Sequence, residues 1–123
     1  MCGILGIVAK SDVRKNRFLE LEFLLKLSES RGKEATGLCV VSGKKFNKLN
    51  IARSNLSPSE FINNKEYNDF KNNFEVKEKI ILIGHTRMAT DGSEDNENNN
   101  QPVHTNNLAG VHNGIICNFK ELL

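Results

Sequence analysis

Residues 1–9 read MCGILGIVA, a short apolar run that Gly3 and Gly6 interrupt. A run of this length and composition is typical of a buried β-strand. Similar runs follow at residues 35–42 (ATGLCVVS) and at residues 79–84 (KIILIG). The opening stretch therefore predicts a sheet in which the first nine residues form one strand.

Two further strands are predicted beside these runs. Residues 46–53 return after a turn at residues 43–45, which predicts a hairpin with the strand at residues 35–42. Residues 108–116 (LAGVHNGII) predict another strand with a glycine-containing break. At least five strands are therefore expected in the fold.

Helical patterns lie between the strands. Ser11 or Asp12 is placed to cap a helix over residues 13–28, in which the apolar positions 18, 21, 24 and 25 share one face. The sequence SPSE at residues 57–60 has the spacing of a helix start with a capping box, and it predicts a helix to residue 64 with a weaker pattern to residue 74.

Asn118 is placed to cap a last helix, which the chain enters for one turn before it ends at Leu123. The order β-α-β-β-α-β-loop-β-α predicts an α/β or α+β sandwich. Residues 1–123 are accordingly expected to be a single, partial domain that is truncated at its carboxyl end.

Composition excludes several classes of protein. Of the 123 residues, 38% are hydrophobic and 26% charged, and the net charge of +2 is too small to favour nucleic acid as a partner. The longest aliphatic run, Ile80–Ile83, is too short for a membrane span, and the start of the chain lacks a secretory pattern. A cytoplasmic protein with reduced cysteines is therefore expected.

Cysteine at the second position carries a chemical prediction of its own. Removal of Met1 would leave Cys2 with a free α-amine, a group whose ordinary pKa of about 7.7–8.0 suits a base near neutral pH. The thiolate is the strongest side-chain nucleophile, so nucleophile and base would belong to one residue. The alternative is an ordinary cysteine beside the initiator methionine.

A strand end at residues 84–92 (GHTRMATDG) delivers polar side chains before a turn. Arg87 offers a planar fork that holds a carboxylate at two points, and Thr90 and Asp91 add short polar contacts on the same turn. The alternative is a surface arginine at the end of a strand.

The sequence HNG at residues 112–114 has two interpretations. Asn-Gly between apolar residues is a hairpin signal. Alternatively, the Asn113 amide and the Gly114 backbone N–H converge to stabilise the oxyanion of a tetrahedral intermediate.

The remaining cysteines and the histidines predict no metal or cofactor. The spacings of His85, His104 and His112 match no metal-binding pattern. Cys39 and Cys117 are expected to be buried, unreactive thiols.

Five motifs together carry a resemblance: MCGI at residues 1–4, SRGKEATGL at 30–38, GHTRMATDG at 84–92, NQPV at 100–103 and HNGIICN at 112–118. In this order they resemble the class II glutamine amidotransferases, which are N-terminal-nucleophile hydrolases, and above all the glutaminase domain of glucosamine-6-phosphate synthase. The motifs span nearly the whole chain except residues 45–78. The resemblance implies an α+β fold, the four-layer αββα sandwich of these hydrolases.

The resemblance also implies roles for single residues. Cys2 attacks the side-chain amide of glutamine, and its α-amine passes the thiol proton to the departing ammonia. Asn113 and Gly114 form the oxyanion hole. Arg87 binds the substrate α-carboxylate, with Thr90 and Asp91 in the same pocket. The turn at Arg31 and Gly32 packs near the nucleophile.

The partners implied are glutamine and a synthase domain or subunit that accepts the ammonia, with a sugar phosphate as acceptor and an oligomer as a possible assembly. Two positions depart from the pattern, since Met88 stands where glucosamine-6-phosphate synthases have Trp, and Asp91 where they have His or Asn. The family also supplies a further Asp and a second sheet beyond the HNG motif. The alternative function is an inactive ligand-binding or interaction module, which retention of Met1 would favour.

Overall fold

The computed structural model describes residues 1–10, 14–43, 48–73, 79–89 and 95–122. Its main feature is a four-stranded antiparallel sheet with the strand order β1-β4-β2-β3. The strands are β1 (Gly3–Ala9), β2 (Ala35–Ser42), β3 (Lys48–Ser54) and β4 (Ile80–Arg87). A separate ribbon pairs β5 (Val103–His104) with β6 (Ala109–Gly110). The helices are α1 (Arg14–Ser28), α2 (Pro58–Phe61), α3 (Lys65–Asn72) and α4 (Phe119–Leu122), with 3₁₀ turns at Glu29–Arg31 and Glu97–Asn99.

The four strands of the main sheet and helix α1 lie where the sequence patterns predict them. The predicted hairpin is confirmed by the pairing of β2 with β3. Both Ser11 and Asp12, the predicted caps of α1, lie outside the described residues. A helix also follows Asn118 as predicted, where the backbone N–H of Glu121 donates to the Asn118 carbonyl at 2.9 Å.

The second helical region forms two helices rather than one. Ser57 caps α2 in the predicted capping box, with its backbone N–H donating to Glu60 Oε2 at 3.0 Å. The side chain of Asn64 then accepts from the backbone N–H of Tyr67 at 2.9 Å and starts α3. The prediction of one continuous helix is wrong because a second capping residue interrupts it.

One face of the sheet forms the hydrophobic core with α1, α2 and α3. Leu5, Leu38 and Ala52 lie in one cross-strand row on this face, and Leu21 and Leu25 of α1 belong to the same buried cluster. Burial of a large aliphatic side chain contributes about 1.5–3 kcal/mol. The core therefore lies between the sheet and a single helical layer.

The opposite face of the sheet carries two apolar rows, which we call the open face: Gly6–Ile83–Cys39–Ile51 and Val8–Ile81–Val41–Leu49. Val8 is 75% exposed and Ile81 41% exposed. The prediction that β1 is buried is therefore correct for one of its faces only, because successive side chains of a strand point to opposite sides.

The predicted strand over residues 108–116 is wrong beyond Gly110. Residues 111–116 form neither helix nor strand, and Ile115 and Ile116 are 64% and 54% exposed. The backbone N–H and carbonyl groups of His112 bond to a side chain instead of a neighbouring strand. Side-chain amides compete with sheet ladders in this way, so an apolar run need not become a strand.

An antiparallel sheet with helices gathered on one face is an α+β arrangement, as predicted. In the parts of the chain that the structure describes, no helix is long and apolar enough to cross a membrane.

Candidate active site

Cys2 lies where the start of β1 meets the end of β4. The backbone N–H of Met88 donates to Cys2 Sγ at 3.4 Å, and Sγ is 3.7 Å from the Met88 carbonyl oxygen. The amino group of Met1 lies 3.0 Å from Met88 Sδ. Gly3 is packed so tightly that a Cβ there would overlap with Thr86 Oγ1, so β1 enters the sheet in direct contact with β4.

Asn113 reaches Cys2 from the far end of the chain. Its Oδ1 accepts from the Cys2 backbone N–H at 3.2 Å, and its Nδ2 donates to the Cys2 carbonyl at 2.9 Å. A single amide therefore satisfies both backbone groups of Cys2, although the two residues are 111 positions apart. Both residues were candidates from the sequence, and the fold brings them into contact.

A cavity of about 260 Å³ adjoins this contact. Its walls include Cys2, His85, Arg87, Gln101, His112 and Gly114. Cys2, Arg87 and Gly114, three of the sequence candidates, thus share one cavity.

Arg87 is only 6% exposed, at the end of β4. Its Nη1 donates to Oδ1 of Asn100 at 3.0 Å, and its carbonyl accepts from the Glu34 backbone N–H at 3.1 Å. Gly32 lies against the Arg87 carbonyl group, where a Cβ would overlap with the backbone. The turn at Arg31 and Gly32 is therefore packed against Arg87. The next residue, Met88, contacts the Cys2 thiol through its backbone.

His85 also lines this cavity, a role that its place in the sequence did not predict. It is 1% exposed, and its Nε2 has no hydrogen-bond partner among the described residues. Burial lowers the pKa of His85 to about 4, with a smaller opposing effect from the backbone of His112. The imidazole is therefore neutral at pH 7. Its place in an apolar strand between Gly84 and Thr86 was the signal for burial.

Gln101 is a second residue whose role the sequence did not disclose. Its Nε2 donates to the His112 carbonyl at 3.1 Å, and its Oε1 accepts from the His112 backbone N–H at 2.5 Å. The carbonyl of Asn100 accepts from Nη1 of Arg53 at 3.3 Å. The motif at residues 100–103 thus connects the sheet to the loop that carries Asn113.

Curated relatives match this chain over nearly its whole length. The glutamine–fructose-6-phosphate aminotransferase (isomerizing) of Sulfurisphaera tokodaii is 34% identical over 123 residues, which are 99% of this chain and 19% of the relative. The enzymes of the same name from Helicobacter pylori and Photorhabdus laumondii are 38% and 35% identical over 128 residues, or 99% of this chain and 18% of each relative. The chain is therefore similar over 99% of its length to part of each of these aminotransferases, in agreement with its resemblance to the class II glutamine amidotransferases.

The chain spans about a fifth of the length of the curated relatives it matches, 19% of the first and 18% of the other two. No family model matches it, and no solved structure matches it.

Two candidate site residues, Thr90 and Asp91, lie outside the described residues. Of the other cysteines, Cys39 is buried as predicted, and burial raises the pKa of its thiol to about 11. Cys117 is exposed, so the prediction that it is buried is wrong. Its place in the irregular segment after β6, rather than in a strand, explains the difference.

Proposed function

We propose that this chain forms a glutaminase site that hydrolyses glutamine to glutamate and ammonia, with Cys2 as the nucleophile. The observation that carries the proposal is the contact of Asn113 with both backbone groups of Cys2, beside a cavity that Arg87 and Gly114 also line. Similarity to the glutamine–fructose-6-phosphate aminotransferases supports the same reaction.

The first step needs the α-amine of Cys2, which exists once Met1 has been removed. The backbone nitrogen of Cys2, which would become this α-amine, lies 3.2 Å from Asn113 Oδ1. This acceptor would hold the amine beside the thiol of the same residue. The amine takes the thiol proton while Sγ attacks the side-chain carbonyl carbon of glutamine. The proton then passes to the leaving ammonia, and water hydrolyses the thioester to release glutamate.

The negative charge that develops on the carbonyl oxygen needs hydrogen-bond donors. An Asn amide carries two N–H donors on one nitrogen, and Asn113 directs one of them to the Cys2 carbonyl. The second N–H and the backbone N–H of Gly114 are our candidates for the oxyanion hole. A single donor of this kind contributes about 10²–10³ in kcat in other hydrolases.

Arg87 is our candidate for the group that binds the substrate α-carboxylate. It places a permanent positive charge in the wall of the cavity that also contains Cys2. Thr90 and Asp91 follow it closely in the sequence and are proposed to line the same pocket.

The use of the ammonia belongs to the whole protein. The relatives are named for amino transfer from glutamine to fructose 6-phosphate. We propose that a synthase domain or subunit takes up the ammonia here and that the acceptor is a sugar phosphate. A thiol nucleophile fits the reducing cytoplasm, which we propose as the location.

The open face of the sheet bears on the fold of the whole protein. We propose that a second sheet packs on it, as in the four-layer αββα sandwich that the family resemblance implies. The two apolar rows of the open face support this, since exposed apolar patches mark surfaces that another layer covers.

Replacement of the nucleophile tests the reaction. In the full chain, Cys2→Ala is expected to abolish glutamate release from glutamine, measured enzymatically, because no other group can form the thioester. The matched control Cys117→Ser removes an exposed thiol and should retain full activity. Glutamate release by Cys2→Ala equal to that of the unsubstituted chain would refute the mechanism.

A second candidate function is an inactive binding module. A chain that retains Met1 would fit this function, because Cys2 then has a peptide nitrogen and no α-amine. Intact-mass measurement of the protein purified from its own cells distinguishes the two: a retained Met1 excludes the α-amine mechanism, and its loss supports it.

A further inference from the structure

The side chain of Gln101 makes the hydrogen bonds to His112 that a neighbouring strand would otherwise make. Its amide bonds both the N–H and the carbonyl of His112, as a paired strand residue would. His112 directly precedes Asn113 in the chain. The position of Gln101 therefore sets where the backbone leading to Asn113 can lie.

Gln101 is itself fixed to the sheet by its backbone. A Cβ on Gly37 would overlap with the Gln101 carbonyl oxygen, so β2 and the Gln101 backbone are in direct contact. The preceding residue, Asn100, is 1% exposed and accepts hydrogen bonds from Arg87 of β4 and Arg53 of β3. The segment is thus held by three adjacent strands.

Two side-chain amides, each with two hydrogen bonds to a backbone, link the Gln101 segment to Cys2. Gln101 bonds the two backbone groups of His112, and Asn113 bonds the two backbone groups of Cys2. Asn113 and Gly114 are exposed and belong to neither helix nor strand. Side-chain hydrogen bonds therefore hold this loop in place of a strand ladder.

We propose that Gln101 is a positioning residue of the glutaminase site, whose amide holds Asn113 and Gly114 at the correct distance from Cys2. This rests on the proposed function. Gln101 acts through the backbone of His112 rather than on the reacting atoms. Stabilisation of the oxyanion depends closely on where its hydrogen-bond donors lie. Arg87, the proposed carboxylate-binding group, is held by Asn100 and not by the Gln101 side chain. Loss of the Gln101 amide should therefore slow the chemical step more than it weakens glutamine binding.

The test uses Gln101→Met in the full chain, which has similar length and no amide. We expect kcat for glutamate release to fall about 10- to 100-fold, because displacements of about 1 Å have effects of this size. KM for glutamine should stay close to that of the unsubstituted chain. The matched control is Asn106→Leu, at an exposed position in the turn between β5 and β6. It should leave kcat and KM unchanged.

Two measurements do not depend on glutaminase activity. Hydrogen exchange at the His112 amide should accelerate in Gln101→Met, because that N–H loses its acceptor. Alkylation of Cys2 by iodoacetamide should continue, which shows that the thiol is still present and accessible. If Gln101→Met does not fold, Gln101→Glu keeps the acceptor for His112 N–H but not the donor, and it should show an intermediate kcat.

Unchanged exchange at His112, an unchanged kcat, or a rise in KM without a fall in kcat would overturn the proposal. Absence of glutamate release from the unsubstituted chain would instead refute the proposed function. The exchange measurement would still decide whether Gln101 holds the loop.

Discussion

Single residues of the site are withdrawn from water to different degrees. Arg87 and Asn100 are buried together, and Nη1 of the guanidinium donates to the Asn100 amide oxygen. His85 is buried without a hydrogen bond to its Nε2 among the described residues. Burial lowers the pKa of His85 to about 4, because a charged imidazolium would lose its hydration there.

His85 should make the stability of the protein depend on pH. As pH falls, the unfolded chain takes up the proton near 6.5 and the folded chain only near 4, so protonation favours unfolding. The free energy of unfolding should be unaffected above this window and fall from pH 6.5 to 4, by up to about 1.4 kcal/mol per pH unit.

Urea denaturation at a series of pH values measures this effect. His85→Asn should remove the slope between pH 6.5 and 4, because no titrating group remains at that position. His104→Asn, at an exposed position in β5, should retain it. An unchanged slope in His85→Asn would show that other groups cause the pH dependence.

Among the elements, β4 decides how the site is assembled. It pairs with both β1 and β2, so it brings the start of β1 beside its own carboxyl end. Gly37 lies opposite His85 in β2, and its missing side chain leaves room for the backbone of Gln101. The strands thus position Cys2, our proposed nucleophile, and anchor the loop that meets it.

A methyl group at Gly37 should push the Gln101 segment away from β2. In Gly37→Ala, the new Cβ would overlap with the Gln101 carbonyl, so we expect a loss of about 1–3 kcal/mol in unfolding free energy and a marked fall in glutamate release. Gly6→Ala is the control on the same face, because its Cβ would make an ordinary contact of 3.6 Å with the Leu82 carbonyl. Equal effects of the two substitutions, in thermal unfolding and activity, would contradict this explanation.

The main sheet is apolar on both faces, and the described helices α1, α2 and α3 pack on one of them. The described helices cover Leu5 and Leu38, whereas Val8 and Ile81 remain exposed on the open face. Antiparallel sheets with one solvated face usually alternate apolar and polar residues, and this sheet does not. The pattern suits a sheet with a layer on each side.

A charge on the open face tests for that layer. In the full chain, Val8→Lys should lower the unfolding free energy by more than about 2 kcal/mol if a second sheet covers it, since an unpaired charge would be buried. Leu19→Lys, at a position 63% exposed on α1, is the control and should stay within about 0.5 kcal/mol. If Val8→Lys is as mild as the control, the open face is solvated in the native protein.

Elements that depend on neighbours a few positions away could be predicted from the sequence. The apolar runs predict β1 to β4, the one-sided apolar pattern predicts α1, and Ser57 with Glu60 predicts the start of α2. The ordered motifs also identify the family and single out Cys2. These signals are local because hydrogen bonds and caps within one element join residues close in the chain.

Which distant groups meet could not be predicted and is seen only in the folded chain. The contacts of Cys2 with Asn113, of Gln101 with His112 and of Arg87 with Asn100 join different elements or loops. The same contacts explain why residues 111–116 are not a strand, since side-chain amides satisfy the backbone that a sheet would have paired. No local pattern encodes such contacts, because they arise when the strand order places separate parts of the chain side by side.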